Sequence, residues 1–207
     1  MKHWTLLAFG FVLAASFASA QTLPVRWDEL TAGDWQAALD KSQKTCVLPM
    51  GILEKHGPHC PVGTDLITVR EWSAAAAKRE FAVVFPDFYF GQIYEAKHQP
   101  GAFAPPPSVV WSVLEATCDE IARNGFEKIL IVNGHGGNPN LIRYFIQTRL
   151  EKPRPYALYL WEPPSPDSAF TATVLRLRKT PPSFDGHAGE EETSLMLYLR
   201  QIGRAHV

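Results

Sequence analysis

The alternation of short apolar runs with helix-forming stretches constrains the fold of this chain more than any other feature. Apolar runs of strand length lie at 45–53, 81–86, 127–132 and 156–161, and helical patterns lie at 66–80, 108–124, 139–151 and from about 191 to 201. Strands that alternate with helices form a parallel sheet covered on both faces. The sequence therefore predicts an α/β fold of the doubly wound kind, with residues 86–107 and 161–186 as loops.

Composition and charge exclude several classes of protein. The 207 residues are 46% hydrophobic and 20% charged, which suits a packed core and not a disordered chain. The formal net charge is −1 and no basic block is present, which argues against nucleic acid or an anionic membrane as a partner. Three cysteines cannot build a disulfide scaffold.

Both ends of the sequence differ from the rest. Residues 1–20 begin with a positive charge, continue with an apolar run and end in Ala-Ser-Ala, the pattern of a secretory signal. We expect cleavage after Ala20 and a periplasmic or secreted protein, with no membrane contact afterwards. Residues 202–207, IGRAHV, match one translated frame of a common sequencing adapter, so we interpret them as an artefact or else as a frayed tail. We then expect residues 21–201 to form one domain that is cut short at its C-terminal end.

Three polar clusters carry the chemistry of the chain. They read EKHGPHCPVGTD at 54–65, NGHGGN at 133–138 and DGHAGEEETS at 185–194. Two of them directly follow apolar runs, and in parallel sheets ligands gather at the carboxyl ends of the strands. Four of the five histidines between residues 21 and 201 lie in these clusters. We therefore expect the clusters to meet in one functional site.

The residue types in these clusters indicate a metal centre. Glu54 and His56 are two residues apart, so at an extended strand end their side chains point the same way. Asp65 begins a helix and its two oxygens can bridge two ions, while His135 lies in a glycine-rich loop and Glu190 opens the last helix. Oxygen and nitrogen donors without a cysteine cluster favour a catalytic, hydrolytic centre.

Each of these residues also has an ordinary interpretation. Glu54 could be a solvated charge at a strand end, Asp65 a helix cap and His135 a hydrogen-bonded loop residue. It is their coincidence at predicted strand ends that favours the metal centre. Glu191 and Glu192 are interpreted as partners of the helix dipole and not as ligands.

A second set of residues is predicted to support the site. His59 is either an outer contact of the metal ligands or an exposed side chain, and Asn133 and Asn138 are expected to fix the glycine-rich loop. Side chains from the aromatic-rich loop at 86–107 and from the strand at 156–161 could line a substrate pocket, or they could pack against the rest of the protein. These candidate substrate-binding residues are Tyr94, His98 and Trp161.

The three clusters resemble the motifs of the creatininase (creatinine amidohydrolase) family. The family pattern is close to E-x-H-G-P-H-x-P-x-G-T-D, then N-G-H-G-G-N, then H-A-G-E-x-E-T-S, and this chain carries all three in that order. The resemblance implies a three-layer α/β/α fold, two divalent ions per chain (zinc, manganese or iron) and a homo-oligomer, often a hexamer.

The resemblance also implies roles for single residues. Glu54, Asp65 and His135 correspond to the ligands of one ion. His56, Asp65 and Glu190 correspond to the ligands of the other, with Asp65 bridging, and His187 corresponds to the catalytic histidine. Creatininase proper carries a glutamate ligand at the position of Gly137, and this departure counts against creatinine itself as the substrate.

Together these observations predict a metal-dependent amidohydrolase. Two ions and a bridging hydroxide would hydrolyse a C–N bond, with a small cyclic amide as the expected substrate. The alternatives are a metallopeptidase acting on short peptides and a secreted metal-binding protein without catalysis.

Overall fold

The computed structural model describes residues 22–162 and 169–200. The predicted signal segment at 1–20 and the terminal hexapeptide at 202–207 lie outside the described residues, so both remain predictions.

A parallel sheet forms the centre of the described part of the chain. Its strands are β1 (Thr45–Met50), β2 (Val83–Val84), β3 (Lys128–Asn133) and β4 (Ala157–Trp161), in the spatial order β2-β1-β3-β4. Every adjacent pair is parallel, with Leu48 opposite Ile131 in the β1–β3 register. The predicted parallel sheet is confirmed, and each strand falls within or beside a predicted apolar run.

The described residues form six α-helices, two more than the sequence pattern predicts. They are α1 (Trp35–Lys41), α2 (Thr64–Arg79), α3 (Pro107–Arg123), α4 (Pro139–Thr148), α5 (Ala169–Leu177) and α6 (Glu190–Arg200). The prediction of a loop throughout 161–186 is wrong where α5 forms. That helix contains good helix formers (alanine, leucine and arginine) beside phenylalanine, threonine and valine, and the prolines on both sides of it concealed the pattern.

Two apolar cores place helices on both faces of the sheet. Side chains alternate along each strand, so Leu48 and Met50 enter one core while Val47 enters the other. The larger core also contains residues of α1, α3 and α4, and the smaller one contains residues of α2. This arrangement is the three-layer α/β/α fold. No helix within 22–162 or 169–200 is both long and apolar enough to cross a bilayer.

The parallel sheet brings the polar clusters to one edge. Glu54 and His56 follow β1, and His135 follows β3. Asp65 lies in the first turn of α2, which packs against β1, and α6 packs against α2. The carboxyl ends of β1 and β3 and the N-terminal ends of α2 and α6 therefore surround the same space.

Candidate metal centre

Four of the five sequence-predicted ligands meet in a buried cluster. Glu54, His56, Asp65 and His135 have relative exposures of 5%, 0%, 6% and 7%. Charged or titratable groups are rarely buried to this degree without a partner of opposite charge. The cluster therefore needs positive charge close to its carboxylates.

Asp65 lies at the centre of this cluster. Its Oδ1 is 3.1 Å from His56 Nε2, and its Oδ2 is 2.8 Å from His135 Nδ1. One carboxylate thus presents a different oxygen to each histidine. Because Asp65 is in the first turn of α2, the positive end of that helix dipole also favours its ionised form.

Main-chain carbonyls orient both histidines. His56 Nδ1 lies 3.2 Å from the Glu54 carbonyl oxygen, and His135 Nε2 lies 2.9 Å from the Gln92 carbonyl oxygen. Because a carbonyl only accepts, each of these nitrogens carries the hydrogen. The other nitrogen of each ring then points at carboxylate oxygens, as in histidines whose outer hydrogen bond prepares them to bind a metal.

Glu192 completes the cluster. Its Oε2 lies 3.8 Å from His56 Nε2. Donor atoms close enough to share an ion occur in two groups that contain Asp65, Glu54–Asp65–His135 and His56–Asp65–Glu192. A third group, Glu54–His56–His187, includes the exposed histidine. Among the described residues, no lysine or arginine forms an ion pair with any of the three carboxylates, so only the imidazoles offset their charge. This set of oxygen and nitrogen donors fits divalent zinc, manganese or iron.

The carboxylates shift the pKa values of the histidines. Burial alone would lower the pKa of His135, but hydrogen bonds and charges from Asp65 and Glu54 outweigh it and raise the pKa to about 9. The pKa of His56 is also raised, since Asp65 outweighs burial there. Burial would raise the pKa of Asp65, but its two histidine partners lower it. The cluster thus stabilises a positive charge between its carboxylates and its rings.

Glu190 lies outside both groups, unlike the sequence-based assignment. Its carboxylate accepts hydrogen bonds from the main-chain N–H groups of Lys179 and Thr180. These N–H groups lower the pKa of Glu190 to about 2. Glu192, two residues further along α6, projects toward His56 instead. The sequence pattern predicts that Glu192 is a partner of the helix dipole. The only signal for Glu192 as a metal ligand is its place as the second glutamate of the H-A-G-E-x-E motif.

Asn133 and Asn138 support the site through outer hydrogen bonds, whereas His59 is exposed. Asn133 donates to the His135 carbonyl oxygen (2.9 Å) and accepts from the His135 N–H (3.2 Å). Asn138, fully buried, accepts from the Gln92 N–H (3.0 Å). His59 Nε2 lies 2.9 Å from Thr193 Oγ1, so it connects the loop after β1 to α6. Sequence reasoning missed Gln92, because a main-chain carbonyl leaves no trace in residue type.

Two cavities open onto the cluster. One of about 710 Å³ is bounded by Lys55, Glu95, Gln99 and His187, among others, and one of about 580 Å³ by Trp72, Arg143 and Leu195, among others. Both are also lined by Asp65, His135 and Glu192. The cluster therefore separates two spaces large enough for organic groups.

The residues predicted to wall the pocket lie away from these cavity linings. Tyr94 is exposed and donates to the Pro105 carbonyl oxygen, and exposed His98 pairs with Gln99. Trp161 stacks edge-on against Trp72, whose ring lines the smaller cavity. The cavity walls come instead from the neighbours of these aromatic residues.

His187 lies at the rim of the larger cavity. Its ring centroid is 4.3 Å from that of His56, and its Nε2 is 2.7 Å from the Lys55 carbonyl oxygen. Its side chain is 49% exposed, unlike those of the buried histidines. His187 is thus the histidine of the cluster that faces solvent and ligand.

The fold and site define a three-layer α/β protein with a candidate metal centre at the carboxyl edge of its sheet. The family model of Creatininase, described as creatinine amidohydrolase, matches residues 28–202. The chain belongs to the creatininase family.

Relatives with different substrates match this chain. A mycofactocin precursor peptide peptidase of Mycolicibacterium smegmatis is 31% identical over 74% of this chain and 57% of its own length. A creatinine amidohydrolase of Pseudomonas putida is 28% identical over 83% of this chain and 70% of its own length. The chain thus spans little more than half the length of the peptidase.

Solved creatininase structures share the fold. One titled as the Mn form aligns with a TM-score of 0.73 at 24% identity, over 86% of this chain and 73% of that one. A further matching creatininase structure is titled as a Zn-Zn type. Both metals belong to the set that the donor atoms of the cluster fit.

Proposed function

We propose that this protein is a metal-dependent amide hydrolase with two divalent ions per chain. Glu54, Asp65 and His135 would hold one ion, and His56, Asp65 and Glu192 the other. The observation that carries this proposal is the orientation of the two histidines. Each ring gives its N–H to a main-chain carbonyl and turns its other nitrogen toward a different oxygen of Asp65.

The bound ions and the residues around them would have different roles in hydrolysis. The bound ions would supply a water of lowered pKa and would polarise the amide carbonyl. His187 borders the cavity and remains half-exposed, so its imidazole can carry a proton to the leaving nitrogen. The glycine-rich loop after β3 lets the substrate approach, since space beside Gly136 is open.

Metal content tests this proposal directly. We expect elemental analysis of protein reconstituted with Zn²⁺ or Mn²⁺ to give about two ions per chain. Asp65→Asn should lose most of this metal because Asp65 belongs to both groups. Asp28→Asn, an exposed change far from the cluster, is the matched control and should retain it. A wild-type protein that binds no metal would reject the proposal.

A second candidate is a peptidase that acts on short peptides. Two observations favour it: the cluster lies between two cavities, and the M. smegmatis relative acts on a precursor peptide by its name. A peptide would place a chain on each side of the scissile bond, whereas a compact ring such as creatinine needs only one cavity. Assays of creatinine against blocked peptides of two to six residues separate the candidates. Rising kcat/KM with peptide length on both sides of the cleaved bond favours the peptidase.

A further inference from the structure

The loop that carries His187 is closed by the carboxylate of Glu190. This loop joins α5 to α6. Glu190 Oε1 lies 2.8 Å from the Lys179 nitrogen, and its Oε2 lies 2.5 Å from the Thr180 nitrogen. The first residue of α6 therefore ties itself to the chain just beyond the end of α5.

Asp185 closes the same loop from its inner side. Its Oδ1 accepts a hydrogen bond from the Glu190 main-chain N–H (2.6 Å), and its Oδ2 pairs with the Arg178 guanidinium. The Asp185 side chain is only 4% exposed, so this ion pair is shielded from water. We call this set of contacts of Arg178, Asp185 and Glu190 the loop clasp.

His187 depends on its backbone for its position. Its own side chain is half-exposed and has one hydrogen bond, to the Lys55 carbonyl oxygen. The next residue, Ala188, has φ of +58°, in the left-handed region. For a residue with a Cβ, this left-handed conformation costs about 1 kcal/mol relative to the right-handed one, so other contacts must hold the turn in this shape. Glu192 accepts a hydrogen bond from the Ala188 main-chain N–H within the turn, and the loop clasp holds the chain on both sides of it.

We propose that Asp185 and Glu190 are positioning residues for His187, and that Glu190 does not bind metal. The geometry accounts for two glutamates in H-A-G-E-x-E: the first closes the loop, and the second, Glu192, faces the metal cluster. The role of His187 in this inference rests on the proposed function. The clasp itself rests only on contacts within residues 178–190.

The test compares Glu190→Ala and Glu190→Gln with Glu191→Ala, which removes a carboxylate from the same turn without touching the clasp. Zn²⁺ content, kcat and KM on the wild type's best substrate, and thermal unfolding are measured for each. We expect Glu190→Ala to keep its metal and its KM while kcat falls about 10- to 100-fold. Glu190→Gln keeps an acceptor oxygen and should recover part of kcat. Added imidazole should partly restore kcat in Glu190→Ala, as in His187→Ala.

A second readout does not depend on activity. In ¹³C-histidine-labelled Zn²⁺ protein, the His187 signal is assigned by its loss in His187→Ala. We expect Glu190→Ala to shift that signal toward the position of an unstructured histidine, and the His56 and His135 signals to stay in place. The inference would be overturned if Glu190→Ala lost its metal while Glu191→Ala kept it. It would also be overturned if Glu190→Ala kept full kcat and an unshifted His187 signal. If the wild type binds no metal, the proposed function fails, while the His187 signal of the metal-free protein still tests the clasp.

Discussion

Replacing Asn138 with leucine tests the outer support of His135. Asn138 is fully buried and accepts the Gln92 N–H at 3.0 Å, and the Gln92 carbonyl in turn accepts from His135 Nε2 at 2.9 Å. Leucine has a similar shape but no acceptor, so the Gln92 N–H loses its partner inside the protein. The change therefore acts on His135 through one intervening residue, Gln92.

The expected magnitudes follow from these two hydrogen bonds. A buried N–H left without a partner costs about 1–3 kcal/mol of stability. The Asn138 Nδ2 has no hydrogen-bond partner in the described structure, and removing this buried amide offsets part of that cost. Removing the outer partner of a ligating histidine weakens metal binding about 10- to 100-fold, and Asn138→Leu loosens the Gln92 carbonyl without removing it, so a loss of about 3- to 10-fold is expected. We therefore expect a net loss of about 1–2 kcal/mol and weaker Zn²⁺ binding.

Two measurements with one control check this prediction. Urea unfolding in the presence of a chelator gives the free energy of unfolding without metal, and competition with a chromophoric chelator gives the affinity for Zn²⁺. Asn140→Leu, an exposed change two residues away on α4, is the control and should alter neither quantity by much. Zn²⁺ affinity of Asn138→Leu within twofold of the wild type would refute the reasoning.

Three further predictions concern the core, the sheet edge and the site. Burial and the Asp119 hydrogen bond raise the pKa of Tyr156 from 10.0 to about 12, so the folded chain holds a proton that the unfolded chain loses above pH 10. Tyr156 should then lower the free energy of unfolding by about 2 kcal/mol between pH 10 and 12, and Tyr156→Phe should make the slope in pH-dependent urea unfolding shallower by that amount. A slope from Cys46 and Cys118, whose pKa values burial also raises, should remain in both proteins. Gly51→Ala places a Cβ 2.6 Å from the Leu66 Cα of α2, so we expect about 1–3 kcal/mol lower stability and weaker Zn²⁺ binding; an unchanged urea midpoint would contradict this. His187→Ala should keep Zn²⁺ by elemental analysis and lose turnover about 100-fold or more, whereas full activity would remove His187 from the mechanism.

The fold was predictable where local pattern and tertiary packing agree. The run at 127–132 became β3 because its side chains fill both cores, and Asn138-Pro139 opens α4 as the sequence indicates. Helix α5 was missed because it is only nine residues long and prolines on both sides of it indicate a loop. The apolar run at 81–86 gave only a two-residue strand, because pairing with β1 extends over Val83 and Val84 alone.

The sequence was enough to predict which loops come together at the site. Glu54, His56, Asp65 and His135 converge because parallel strands end at one edge, and this follows from the spacing of motifs along the chain. The choice between Glu190 and Glu192 depends on which way each carboxylate leaves the first turn of α6, and residue type cannot decide it. Secretion, the oligomeric state and the native metal stay predictions, because none of them is determined by contacts within one chain.

The two donor groups draw on very different stretches of the chain. Glu54, Asp65 and His135 are all present once β3 and its loop have been made, whereas His56 and Asp65 lack their third ligand, Glu192, until α6 emerges. During synthesis, the first group can therefore assemble well before the second. Occupancy of the second position would then report that the chain has been completed through residue 192.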